Sequence, residues 1–173
     1  MTEMDELILI QPTKEHESQV MEYRQEHFDY DENHINGSCG LNRYSNYDEW
    51  LEKVYSQQSG VPSTSFIVFR KSDNKLIGTI SLRHELNEDL ANYGGNIGYG
   101  IRPSERGKGY GTQQLALVLD FARELKIPRV MISCDKDNPA SSKVMIKNGA
   151  VFEREYYNEE HNEIIQIYWI NLS

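Results

Sequence analysis

The order of segments in this 173-residue chain predicts an α+β fold, a mixed α/β arrangement with a sheet covered by helices on both faces. Three observations carry that reading. A short apolar run is followed by two helical patterns, the middle of the chain is mostly strand-like, and two further helices are interleaved late. Leu7 to Ile10 forms the first strand. Lys14 to Phe28 reads as a helix with Val20, Met21 and Tyr23 among its apolar positions. Asp29 to Asn46 is rich in Asn, Gly, Asp and Ser, so it reads as a long loop, and long loops inside compact domains are often functional. Tyr47 to Gln58 returns to helix, with Trp50, Leu51, Val54 and Tyr55 on one face. Ser65 to Arg70 and Lys75 to Glu85 are strands around the turn Ser72-Asp-Asn74, so they form a hairpin. Leu86 to Gly95 is a polar connection, and Asn96 to Ile101 a short central strand. Tyr110 to Lys126 is a helix that turns Leu115, Val118, Leu119, Ala122 and Leu125 inward and stops before Pro128. Arg129 to Cys134 is a strand of the buried type. Asn138-Pro139 opens a helix that runs to about Asn148 and ends at Gly149. Val151 to Tyr157 and Ile164 to Ile170 close the chain as two strands around a turn.

This length suits one domain spanning residues 1–173 with a real core. The two cysteines, Cys39 and Cys134, form no CxxC pair, and the five histidines show no metal-ligand spacing, so no metal is expected. The acidic start Met1 to Ile10 lacks the basic region and long apolar core of a signal peptide, and no run is long enough to span a membrane. A cytoplasmic protein with reduced thiols is the natural expectation. The formal net charge of -9, with scattered Lys and Arg, argues against nucleic acid as a partner. An acidic surplus suits a cationic substrate only weakly, and a solvated surface is the simpler account.

The most informative segment is Gly98-Tyr-Gly-Ile-Arg-Pro-Ser-Glu-Arg-Gly-Lys-Gly-Tyr-Gly-Thr112. A strand leads into a basic, glycine-rich turn, and a helix opens directly after it. That order aims backbone N–H groups and the positive end of a helix dipole at one spot suited to a pyrophosphate. Gly107, Gly109 and Gly111 allow close approach, Arg106 and Lys108 can add charge, and Thr112 offers a hydroxyl. The spacing is neither that of a P-loop nor of a dinucleotide fingerprint. It closely resembles motif A of the GNAT acyltransferase superfamily, and Asp137-Asn-Pro-Ala-Ser-Ser-Lys-Val-Met-Ile-Lys-Asn-Gly149 resembles motif B at the right distance. The wider runs Leu82 to Asn87 and Gly94 to Tyr99 look similar to a subgroup of acetyltransferases without an assigned substrate.

The resemblance implies a mostly antiparallel, twisted sheet of about seven strands, with a splayed parallel pair at the cofactor site. It implies acetyl-CoA as donor, an amine as acceptor and transfer by direct attack. The backbone around Ile101, Arg102 and Pro103 would pair with the pantetheine arm like an added strand. Arg106, Gly107, Lys108, Gly109, Tyr110, Gly111 and Thr112 would hold the pyrophosphate. Asn138, with Ser141 or Ser142, would contact the pantetheine, although Asn138 is also a plain helix N-cap before Pro139. Many members carry a Tyr acid seven residues after the motif B Asn; here that position is Met145, and Tyr156 or Tyr157 could substitute from the next strand. Glu85 is the first choice for a base acting through water and His84 the second. Alternation places these two on opposite sides of the strand. Cys134 reads as a packing residue. Asp29, Asp31 and Glu32, in the loop where the family builds its acceptor site, could bind a cation. The expected partner is a small-molecule or peptide amine, with no nucleic acid or membrane; a homodimer is left open. A non-catalytic acyl-CoA-binding sensor or interaction module is the alternative function.

Overall fold

A computed structural model describes residues 5–57 and 59–173. Strand β1 (Leu7–Ile10) leads through a 3₁₀ turn into helix α1 (Glu17–Asp29). Thr13 starts that turn, its hydroxyl accepting the Glu15 N–H while its own N–H donates to His16 Nδ1. Helix α2 (Tyr47–Val54) is capped by Asn46, whose Oδ1 accepts the Glu49 N–H. It stops short of the expected bound, and Gln58 itself lies outside the described residues.

Strands β2 (Ser63–Arg70), β3 (Lys75–Arg83) and β4 (Ile97–Ile101) join β1 in an antiparallel sheet of order β1-β2-β3-β4. Apolar residues on alternate positions of β2 serve two cores. Phe66 and Val68 face helix α3 (Tyr110–Glu124), while Ile67 and Phe69 face α1 and α2. Helices therefore cover both faces of this sheet. Strand β3 ends two residues earlier than expected. Its pairing with β2 stops at Arg83, and the His84 N–H turns to Pro62 O, so His84 and Glu85 sit in a bend beyond the strand. The polar connection holds one π-helical turn, Leu90–Gly94.

Strands β5 (Arg129–Asp135), β6 (Val151–Asn158) and β7 (Glu163–Asn171) form a second antiparallel sheet of order β5-β7-β6, with helix α4 (Pro139–Lys147) between β5 and β6 in the chain. The expected seven strands are present, but in two sheets, and the structure does not show a paired β4 and β5. The physical reason lies at Asn96. Its N–H donates to Met131 O (2.8 Å) and its side-chain Oδ1 accepts the Met131 N–H (2.8 Å). These two bonds join the sheets at the base of β4 and β5, and no ladder continues beyond them.

Candidate active site

Beyond Asn96, β4 and β5 become opposite walls of a cavity of about 750 Å³, inside the usual range for small-molecule sites. Ile97, Gly98 and Tyr99 line it from β4, and Ser133, Cys134 and Asp135 from β5. Asn138 and Ser141 contribute from the start of α4, His161 and Glu163 from the β6–β7 hairpin, and His34 and Asn36 from the long loop. That loop is pressed onto β3 and β4. Thr79 Oγ1 donates to Asn36 O (2.8 Å) and Ser81 Oγ to Gly37 O (3.2 Å). Gly37 adopts φ +70°, and a Cβ there would lie 2.5 Å from Tyr99 Cα, so only glycine fits.

The glycine turn leaves its backbone open at the start of α3. Gly107 and Gly109 have φ of +77° and +86°, and space is open around Gly107. The first N–H groups of α3 follow, without intrahelical acceptors. These backbone groups fit a pyrophosphate. The two cations of the turn are committed elsewhere. Arg106 makes a two-pronged ion pair with Glu32, Nη1 to Oε2 at 2.6 Å and Nη2 to Oε1 at 2.8 Å, and its Nε donates to Ile101 O (3.0 Å). Glu32, an expected cation holder of the acceptor loop, is thereby tied to the donor turn, and Arg106 holds its carboxyl below the usual range. Lys108 reaches the buried Glu105 (3.0 Å), which also takes Arg70 (2.8 Å) and Lys75 (3.3 Å). Burial opposes ionisation of Glu105, but the bonds from Lys108, Arg70 and Lys75 outweigh it and hold its pKa at about 2.

The other expected cofactor residues divide between wall and scaffold. Asn138 caps α4 by accepting the Ser141 N–H (3.2 Å) and also faces the cavity, so its two readings coexist in position. Ser141 Oγ sits 2.7 Å from Tyr99 Oη. Ser142 bonds back to Pro139 O (3.1 Å). Arg102 is buried, its Nε on Leu76 O (2.7 Å) and its Nη1 on Glu26 (3.1 Å). Its neighbour Pro103 opens a short 3₁₀ turn, and Ser104 in that turn bonds Glu26 through its N–H (3.1 Å). Tyr110 is also buried, its hydroxyl accepting from Arg70 (3.2 Å) and donating to Asp5 (3.4 Å). Gly111 packs against Val144, and Thr112 O accepts from Asn148 Nδ2 (3.2 Å), joining α3 to α4.

The three candidate catalytic side chains are not brought together. His84 Nε2 is 2.8 Å from Thr64 Oγ1, Glu85 is exposed, and neither lines the cavity. Tyr156 lies against Tyr93 with ring centroids 5.5 Å apart, at a separate depression. Met145 is fully buried in the core. Besides Asn138 and Ser141, the cavity is lined by ionisable side chains that were not among the catalytic candidates. Asp135 and Glu163 share a hydrogen bond between their carboxyls, which, with burial and the adjacent Asp135 charge, raises the Glu163 pKa. Burial pushes Tyr99 up to about 12 and Cys134 up to about 11, so both stay protonated at neutral pH. Arg83, within the Leu82 to Asn87 run, is the last residue of β3 and also lines the cavity.

Residues 6–151 match the family described as acetyltransferase (GNAT) domain. The chain belongs to the GNAT acetyltransferase family. Among relatives of this GNAT chain, a probable N-acetyltransferase, YjcK of Bacillus subtilis (strain 168), is 34% identical over 108 residues, 62% of this chain and 55% of that protein. The ribosomal-protein-serine acetyltransferase of Escherichia coli (strain K12) is 30% identical over 105 residues, 57% of this chain and 56% of that protein. The GNAT chain thus matches a little over half the length of these curated relatives. A solved ribosomal L7/L12 alpha-N-protein acetyltransferase in complex with coenzyme A shares the fold, with a TM-score of 0.70 and 21% identity over 95% of this chain and 93% of that one. Among the described residues no helix is long and apolar enough to cross a membrane.

Proposed function

We propose that this chain is an acetyl-CoA-dependent N-acetyltransferase that takes its amine acceptor in the cavity between β4 and β5. One observation carries the reading: a single cavity is lined both by Asn138 and Ser141 of the motif B helix and by the Asp135–Glu163 carboxyl pair. The N–H groups from Gly107 to Thr112 would hold the pyrophosphate, and Asn138 with Ser141 the pantetheine arm. Bound there, acetyl-CoA supplies an acyl group activated as a thioester, with a thiolate as leaving group.

The residues of the chain do the proton work. An incoming ammonium must lose a proton to become nucleophilic. Glu163, sharing a hydrogen bond with Asp135 at the cavity wall, takes that proton, so this reading moves the base from Glu85 to Glu163. Because its pKa is raised, the base is active above that pKa and is lost as pH falls through it. The Tyr99–Ser141 hydroxyl pair stands where Met145 offers no acid, and holds its proton across the working pH range.

The test is titration calorimetry with coenzyme A, followed by thiol release across an amine panel. Gly109→Glu puts bulk and negative charge on the cradle at an αL position and is expected to abolish coenzyme A binding, with circular dichroism checking the fold. Undiminished affinity would refute the cradle. Glu163→Gln is expected to slow turnover by about 100-fold with coenzyme A affinity unchanged. Binding without turnover of any amine would favour the non-catalytic module instead.

A further inference from the structure

Arg83 ends β3, and its side chain lines the cavity. Its Nη1 donates to Gly95 O at 3.0 Å, while its Nε is buried without a hydrogen-bond partner. Among the described residues no carboxylate forms an ion pair with it. A guanidinium stays charged at any working pH, and a buried donor left unmet is costly, more so when charged. The residue is nevertheless held firmly. Its N–H donates to Asn96 O (2.7 Å) and its carbonyl accepts from Asn96 Nδ2 (3.0 Å), so the backbone beneath the side chain is fixed on both sides.

The same cavity holds the opposite charge. Asp135 and Glu163, their carboxyls in hydrogen-bond contact, form an anionic pair on the cavity wall. Arg83 sets a positive charge against that pair within the same cavity. A polyamine would find one anionic pair and a repelling guanidinium. A molecule with one ammonium and one carboxylate would find a partner for each, and planar guanidinium is suited to receiving carboxylate in a two-pronged contact.

We propose that Arg83 is a specificity-determining residue that selects a zwitterionic acceptor of the amino-acid type, its carboxylate on Arg83 and its amine at the Asp135–Glu163 pair. This rests on the acetyltransferase reading of the cavity. It separates a free amino acid from a peptide N-terminus, because the peptide presents a neutral carbonyl where the amino acid presents a full charge.

The experiment compares a panel of L-amino acids, their primary amides and 1,4-diaminobutane, by calorimetric binding and by steady-state acetylation. At least one amino acid is expected to bind and be acetylated, with its amide about 30-fold poorer in KM. Arg83→Gln is expected to raise KM for that acid by a similar factor, leaving KM for the amide and coenzyme A affinity unchanged, and Arg83→Lys is expected to recover part of the loss. Equal use of acid and amide, preference for the diamine, or an equal effect of Arg83→Gln on acid and amide would overturn the proposal. The acid-to-amide comparison on the wild-type protein stands even where a variant folds poorly. Failure to bind coenzyme A or to acetylate any amine would instead sink the acetyltransferase reading, so the two failures are distinct.

Discussion

Replacing Gly37 by alanine probes how tightly the long loop is fitted to the sheet. The new Cβ would lie 2.5 Å from Tyr99 Cα and 2.7 Å from both Gly98 O and Thr79 O. All three are main-chain atoms inside a sheet and cannot swing aside, so the loop itself must lift. Lifting it breaks the bonds from Thr79 Oγ1 to Asn36 O and from Ser81 Oγ to Gly37 O, at about 1 kcal/mol each. The φ of +70° adds about 1–2 kcal/mol for a residue bearing a Cβ. The sum is about 3–4 kcal/mol, or about 10 °C in Tm for a chain of this length. Urea unfolding measures it. Two controls separate the terms. Gly107→Ala, at φ +77° with nothing within 4 Å, carries only the backbone cost. At Gly98, where the nearest atom is 3.7 Å away, alanine is expected to be near neutral. A Gly37→Ala protein within about 0.5 kcal/mol of wild type, or no worse than Gly107→Ala, would show that the loop is not seated as described.

The remaining expectations concern charge and the joint between the sheets. Glu105→Gln leaves Arg70, Lys75 and Lys108 without their shared carboxylate and is expected to cost about 3 kcal/mol in urea unfolding at neutral pH. The folded pKa of about 2 lies below the 4.5 of a free Glu carboxyl, so this stabilisation is full above 4.5 and is lost as pH falls towards 2. Unfolding at stepped pH should therefore show a shallower acid loss in the variant than in wild type. Asn96→Ala removes the partners of the buried Met131 N–H and of Arg83 O, and is expected to cost about 3 kcal/mol. It should also raise the acceptor KM by loosening Arg83, whereas an unchanged KM would separate the joint from the site.

Local pattern revealed most of the elements, because apolar spacing, turn residues and caps act over a few residues. The strand Leu7–Ile10 and the start of α2 at Tyr47 follow the sequence reading residue for residue. The end of β3 does not, since pairing with Ser63 and Asn96, and not local composition, decides where it stops. The glycine turn was legible as a strand-to-helix turn because its glycines and the helix start follow one another in the chain. That Asp135, Glu163, Tyr99 and Arg83 share one cavity was not, because they come from four strands or strand ends and meet only when the two sheets are set side by side. The pairing of Arg106 with Glu32 was equally hidden, as 74 residues separate the two partners.

The division into two sheets also divides the chain in time. The buried members of the smaller core run from Val20 to Leu76, and β1 to β4 are complete by Ile101. The second sheet begins only at Arg129 and is finished at Asn171. A chain emerging from the ribosome can thus bury one core and raise one wall of the cavity while the other wall is still unsynthesised. Neither half of the polypeptide holds both walls of this cavity, and a nick between α3 and β5 would leave two fragments with one wall each. The cavity is thus completed only when the last third of the chain has been made.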